Sequence, residues 1–356
     1  MVKELEYKKI KTEKKNFFFK YRNYLSYIIG LFLAIIVFSV TLLLLGYDPI
    51  NALLSIPTGA FGRLDNISAT LIRFIPLLLT ALAFLIALKS RFLNLGIEGQ
   101  LYIGALLAYL VGARMEMVPS FIAIPLVIIV GFIGGVLWLA IPLIMKTKLG
   151  VNEIFSTVVM NFIAIIIISW LTVGPLKDPG SLLPRTRFLP ESTWMPKIDP
   201  QYRLHVGIFL VVIIALILYM ILNKTTIGYK IRAVGQNPRA SEHGGVDVTR
   251  VVITAGLLSG GIAGLAGFME VFGVHHYLFG GFSPGFGYIG IAVAALGMFH
   301  PIGVIFTAFF FAVLQIGGTY MQQSAGISID IIFIMQAVLV LTVLIVQKWM
   351  TTRNSS

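Results

Sequence analysis

The chain has 356 residues, 58% of them hydrophobic and only 12% charged, with no cysteine and a net charge of +12. Soluble domains carry about a quarter charged residues, so a water-soluble globule is excluded; disorder is excluded too, because it needs low hydrophobicity. The lack of cysteine removes disulfide frameworks, thiolate metal sites and a cysteine nucleophile.

In chain order, residues 1–24 form a basic tail carrying Lys3, Lys8, Lys9, Lys11, Lys14, Lys15, Lys20 and Arg22. Such a cluster beside an apolar span is typical of a cytoplasmic flank and attracts anionic membrane lipid. It is not the basic stripe of a nucleic-acid-binding domain. A helix crosses about 30 Å of hydrocarbon with about 20 apolar residues. Residues 25–46 are the first charge-free stretch of that kind. This stretch is longer than a signal-peptide core and no small-residue cleavage pattern follows, so it reads as a retained helix. Residues 68–88, 96–113, 120–145, 154–174, 206–222 and 251–273 follow as the second to seventh spans. From Val271 to Ile329 there is no Asp, Glu, Lys or Arg, a run too long for one helix. The pair His300-Pro301 divides it, because proline removes a donor and clashes with the preceding turn. The division gives an eighth span ending near Phe299, a ninth over 302–320 and a tenth over 331–347. The expected fold is therefore all-α: a polytopic membrane protein of about ten transmembrane helices over 25–347, with a short C-terminal tail at 348–356.

Charge placement predicts the topology. Lys89, Arg91, Lys146, Lys148, the basic residues between Lys224 and Arg250, Lys348 and Arg353 all fall on the side of the N-terminal tail. The short opposite loops keep only Arg63 and Arg114. The positive-inside rule then places both termini in the cytoplasm. An external loop at 175–204 is rich in proline, with Trp194 as an aromatic interface anchor. An internal loop at 223–250 reads as ordered: Asn237 is a good N-cap, Pro238 suits the first helical position, and Gly244-Gly245 would end the helix. So short a helix is unstable alone in water, so it must rest on lipid, on its own bundle or on a cytoplasmic partner.

Three motifs form an ordered set: Asn94-Leu95-Gly96-Ile97-Glu98-Gly99-Gln100; Gly150-Val151-Asn152-Glu153, with Asn161 in the following span; and the run from Thr226-Ile227-Gly228-Tyr229-Lys230 through Gly235-Gln236-Asn237-Pro238. With them the chain resembles the permease subunits of ATP-binding-cassette (ABC) importers of the ribose/galactoside type. The similarity is greatest to the branch that imports nucleosides with a basic-membrane-protein-type binding lipoprotein. The resemblance implies a type II-like importer bundle in a bacterial cell membrane, forming half of a translocation pathway. It implies as partners a separate ABC ATPase subunit holding ATP and Mg, a second permease (a different homologous chain or a second copy) and an extracellular substrate-binding lipoprotein. By position, the helix that couples to the ATPase falls on Asn237, Pro238, Arg239, Ala240, Ser241, Glu242 and His243. Residues 228–235 form its lead-in, and glycines at 228, 235, 244 and 245 would turn the backbone around it. The implied role is non-catalytic, and no G-x-x-x-x-G-K-[ST] phosphate cradle occurs in the sequence. A sugar importer and an ion-coupled secondary transporter are the alternatives; the second needs ionisable groups deep in the bundle, and these are few.

Charged and amide groups inside spans cost about 2.5–3.5 kcal/mol at the centre of the bilayer and so face the bundle or a water path. Glu98 and Gln100 either line the passage at a broken helix or fix that turn against neighbouring helices. Asn161 either bonds across to another helix or faces substrate, and Gln315, Gln322, Gln323, Asp330 and Gln336 divide the same way. Asn152 and Glu153 read as a helix cap and a dipole partner. His275 and His276 are adjacent and point about 100° apart on a helix, which argues against a shared metal. Gly281-Phe282-Ser283-Pro284-Gly285 matches the G-x-S-x-G elbow, but without the strand and helix that motif needs it reads as a turn in an outer loop. The small residues around Gly260-x-x-x-Gly264 suit either close helix packing or sliding between two arrangements.

Overall fold

The structure, a computed structural model, describes residues 28–352. The expected tail at 1–24 lies outside the described residues, as do residues 353–356 of the tail expected at 348–356. In chain order the helices are α1 (Ile28–Leu44), α2 (Pro49–Phe61), α3 (Leu64–Lys89), α4 (Ile97–Gly112), α5 (Ser120–Leu149), α6 (Glu153–Val173) and α7 (Gly207–Lys224). They continue with α8 (Thr226–Gln236), α9 (Pro238–His243), α10 (Val248–Glu270, prolonged as a π-helix over Val271–His275), α11 (Phe286–Leu296), α12 (Pro301–Ala325) and α13 (Ile329–Thr352). Among the described residues, six helices are long and apolar enough to cross a membrane, and there are four shorter apolar ones, Ile28–Leu44, Ile97–Gly112, Phe286–Leu296 and Asp330–Val346.

The chain divides into two compact units, one formed by residues up to Gly59 together with those from Gly317 onward, the other spanning Ala60–Ile316. In the first, Gly30 meets the backbone of Val343, Gly317 meets Ile56, and Gly318 meets Ile332. Its α2 is a helix that apolar-span counting did not anticipate. The local signal is Asp48-Pro49: the Asp48 carboxylate accepts from the Ile50 N–H at 2.9 Å, and Pro49 occupies the first helical position, where a missing N–H costs nothing.

In the second unit α3 and α10 form the centre, 78% and 72% buried over their most apolar windows, against 33% for α5. Glycines explain how helices come so close around α10. Gly260 and Gly264 lie against the backbone of Gly131 and Gly135 on α5, Gly104 of α4 meets Gly264, and Gly267 meets the Leu101 carbonyl. A methyl group at Gly135, Gly264 or Gly267 would overlap main-chain atoms of the neighbouring helix. The small-residue spacing on α10 is thus used for close packing. At the rim, α5 exposes Phe121, Leu126, Ile129, Ile133, Leu137 and Ile144, an apolar ridge suited to lipid.

The eighth crossing differs from expectation. α11 has 11 residues, which at 1.5 Å per residue is about 16 Å, half of the hydrocarbon thickness. Its position follows from neighbours on α3. Gly290 packs on Thr80 and Ala81, and the Phe299 ring lies 6.2 Å from that of Phe84. Thr80 and Phe84 lie nine and five residues before Lys89, about 13 and 8 Å along the helix. α11 therefore crosses only the half nearer Lys89. The other half is crossed by irregular chain at 276–285, in which His276, Gly281 and Gly285 take left-handed φ angles of 63°, 79° and 91° that a helix cannot accommodate. Ser283, expected in an outer loop, is buried at 7% exposure inside the bundle.

Residues 175–206 fold over the far end of this segment. Isolated bridges join Arg185 to Phe279 and Lys197 to His205. Trp194, expected as an interface anchor, instead stacks on His276 at 3.9 Å and donates to the Leu189 carbonyl at 2.9 Å.

Candidate functional site

Two helices begin inside the second unit, and their unpaired N–H groups meet buried side chains. After Lys89 the chain turns back, and residues 92–96 run into the bundle before α4 starts. Asn94 accepts from the Gly96 N–H at 3.0 Å and exchanges two amide hydrogen bonds with Gln100, at 2.8 and 2.9 Å. Its amide also donates to the Ser259 hydroxyl at 2.9 Å, and Ser259 donates on to the Ala83 carbonyl at 2.6 Å. One turn of irregular chain is thus tied to α10 and α3. On the other side, Asn161 of α6 accepts from the Gly99 N–H at 2.7 Å and donates to the Leu95 carbonyl at 2.8 Å.

The second start is that of α11. The Glu98 carboxylate, 2% exposed, accepts from the Gly287 N–H at 2.6 Å, while the Ser283 hydroxyl accepts from the Gly285 and Phe286 N–H groups at 3.3 and 3.1 Å. A carboxylate in the first turn of α4 thereby also faces the first turn of α11. Tyr102 packs its ring 4.5 Å from that of Phe282, and Tyr288 of α11 lies 3.3 Å from the Asn161 amide through its hydroxyl.

Of the sequence candidates, Glu98, Gln100 and Asn161 are brought together, each hydrogen-bonded within this chain. Gln315 is buried on α12 at 6% exposure. Asn94, Ser259, Ser283 and Tyr288 belong to the same cluster. Of these, Asn94 carried a sequence signal as part of the first motif, and Ser283 one for a turn. Asn152 caps α6 through the Ile154 N–H at 2.9 Å, and Glu153 pairs with Lys146, which closes the turn at Gly150 between α5 and α6.

The segment after α7 has a different character. α8 is a complete helix, so Gly228 and Gly235 do not act as the turns expected of them. Gly228 allows contact with the Ile221 carbonyl and Leu222, and Gly235 with the Lys89 carbonyl. Ile231 and Val234 bury the same face of α8. The short α9 then projects: Arg239, Ala240, Glu242 and His243 are exposed and only Ser241 is buried. Asn237 accepts from the Ala240 N–H at 3.2 Å, the Ser241 hydroxyl donates to the Asn237 carbonyl at 2.9 Å, and Gly245 turns the chain with φ 80°.

On the opposite face His205 is buried and its Nδ1 accepts from the Gly207 N–H at 3.2 Å, at the start of α7. Burial pushes this imidazole down to about 4, and the neighbouring His276 adds to the effect. His275 reaches Glu270 at 3.5 Å whereas His276 stacks on Trp194, so the histidine pair does not converge on one point.

The family described as "Branched-chain amino acid transport system / permease component" matches residues 66–347. The chain is 33% identical over 323 residues (89% of this chain, 91% of the relative) to the guanosine ABC transporter permease protein NupP of Bacillus subtilis. It is 30% identical over 331 residues (90% of each) to the nucleoside ABC transporter permease protein NupB of Lactococcus lactis, and 29% identical over 322 residues (86% and 83%) to the glucose ABC transporter permease protein TsgB13 of Haloferax volcanii. No solved structure matches it. A helical bundle with its polar residues gathered at two interior helix starts, and a match over most of its length, make this chain a multi-pass membrane protein of the permease-component family.

Proposed function

We propose that the chain is one half of the translocation pathway of an ABC importer, taking a purine or pyrimidine nucleoside from an extracellular binding lipoprotein. A second permease, a homologous chain or another copy, forms the other half. A separate ATPase subunit with its own ATP and Mg drives the cycle. The face bearing Lys89, Lys146, Lys148 and α9 is cytoplasmic in this reading, with both termini on that side.

The observation that carries it is the pairing of α9 with α8. A six-residue helix has no stability of its own in water. Here it is capped at Asn237, exposed on most sides, and joined to a helix locked by close backbone contact to the ends of α3 and α7. Such a projection transmits a push from a docked partner to the bundle as a rigid body, which is what coupling to nucleotide-driven closure demands. The nucleoside relatives support the substrate class, and the glucose relative supports a simple sugar as the second reading. Within the bundle, Glu98, Gln100 and Asn161 fix the broken helices around which the pathway forms.

The test is reconstitution of the chain with its ATPase, its second permease and binding protein in proteoliposomes. Replacing Arg239, Ala240, Ser241 and Glu242 by a Gly/Ser linker should lower nucleoside uptake by more than tenfold while the ATPase continues to turn over and the permease remains inserted. Unchanged uptake rejects the assignment. Competition of labelled guanosine uptake by nucleosides but not by glucose or ribose separates the first reading from the second.

A further inference from the structure

Irregular chain in the hydrocarbon layer is tolerated only where it is buried in protein or lines a water-filled cavity, because lipid offers no hydrogen-bond partners to backbone N–H and C=O groups. Residues 276–285 are irregular, yet Gly280, Gly281 and Pro284 are exposed. Gly280 packs beside Ser169 of α6, four residues before Val173 and so about 6 Å inside the end of that helix. Continuing inward, the same surface reaches Tyr288, a residue 43% exposed. Its hydroxyl partner Asn161 lies eight residues into α6, about 12 Å from the helix start, so the ring sits near mid-membrane. Tyrosine facing lipid belongs at the headgroup level. A half-exposed tyrosine at this depth, continuous with exposed irregular backbone, does not face lipid. The contrast with the ridge of α5, where every exposed residue named above is Phe, Leu or Ile, marks the two surfaces as facing different solvents.

We propose that the surface formed by Gly280, Gly281, Pro284 and Tyr288 lines the water-filled path, and that the Tyr288 ring is a stacking platform for the base of the transported nucleoside. The inference rests on the nucleoside reading above. The chemistry fits: an aromatic face accepts every base, because each base has a π-face, and the Asn161 amide holds the phenol from behind so that the ring keeps one orientation. The small residues around it leave the platform open. Exposed glycines offer no side chain to block a planar ligand, and Ala292, one turn further along α11, is only partly buried.

Two measurements test this in the reconstituted transporter. Loss of one base–aromatic stack costs about fivefold to hundredfold in affinity. Tyr288→Ala should therefore raise KM for guanosine by at least fivefold with a smaller change in maximal rate, and Tyr288→Phe, which keeps the ring, should restore most of the loss. A wild-type KM in Tyr288→Ala overturns the proposal, as does a loss confined to maximal rate. If the unmodified transporter moves glucose and no nucleoside, the nucleoside reading itself fails, and the result is recognisable before any variant is made. The absence of native cysteine permits the second measurement. Tyr288→Cys should react with a charged, water-soluble thiosulfonate, and saturating guanosine should slow the reaction. Ile129→Cys, on the apolar ridge of α5, should stay unreactive. Equal reactivity at the two positions, or no reaction at position 288 while a membrane-permeant maleimide labels it, overturns the assignment of this surface to the path.

Discussion

The seam of α4, α5 and α10 and the broken segments at 92–96 and 276–285 satisfy the same constraint by opposite means. In the seam the backbone stays helical, and glycines let whole helices touch main chain to main chain. At the broken segments the ladder is interrupted, and side chains replace it, one local and one from another helix at each: Asn94 and the distant Asn161 for α4, Ser283 and the distant Glu98 for α11. The seam leaves no room for any added atom. The broken segments leave room but depend on particular polar groups. A permease needs both, a fixed frame and a region where backbone can border a path.

The largest effect is expected in the seam. Gly267→Leu drives a side chain into the Leu101 carbonyl, and overpacking of this kind costs about 1–3 kcal/mol or more. Little folded protein should be recovered in detergent, measured as the monodisperse fraction on size exclusion. Wild-type recovery would mean that the seam yields and is not a frame.

Removing a cap should do less to folding and more to function. Glu98→Ala leaves the Gly287 N–H without an acceptor, at a cost of about 1–3 kcal/mol. The protein should still insert, with a lowered unfolding midpoint and at least tenfold less uptake. Glu98→Gln, which retains an acceptor oxygen, should fall between the two. Equal stability of the Ala and Gln variants would show that α11 does not need this partner.

The smallest effect concerns His205, a cap at the start of α7 that lies at the end of the segment 175–206. Its imidazole is neutral when folded and titrates near 4, against about 6.5 when unfolded. The unfolded chain therefore takes up the proton first. The stabilisation is complete above pH 6.5 and is lost as the pH falls from 6.5 toward 4. The unfolding midpoint should drop by about 5 °C between pH 7.5 and 5, and His205→Asn should flatten that dependence. An equal drop in the variant would assign it to other groups.

Most crossings were legible in the sequence because apolar length sets them, and α9 because Asn237-Pro238 and Gly244-Gly245 are local signals. Depth was not legible. The run from Val271 to Ile329 holds no charge to show where each half-membrane begins, so an 11-residue helix and an irregular segment read together as one span, and Ser283 read as external. Glycine was ambiguous for a related reason. At 245 it supplies a left-handed turn, but at 228 and 235 it supplies space against the Ile221 and Lys89 carbonyls, and only the neighbouring helix distinguishes the two uses. The pairing of Glu98 with α11 left no trace in either local pattern, since its partner lies far along the chain.

That distance has a consequence for synthesis. Glu98 and Gly287 are 189 residues apart, and a ribosome adding about 5–20 residues per second needs roughly 10–40 s to travel between them. Throughout that interval the nascent permease carries an acidic group with its native donor not yet made. Until α11 emerges, that carboxyl must stay wet, protonated or sheltered by an insertion factor, so premature termination anywhere before residue 287 leaves a mark that membrane quality control can recognise.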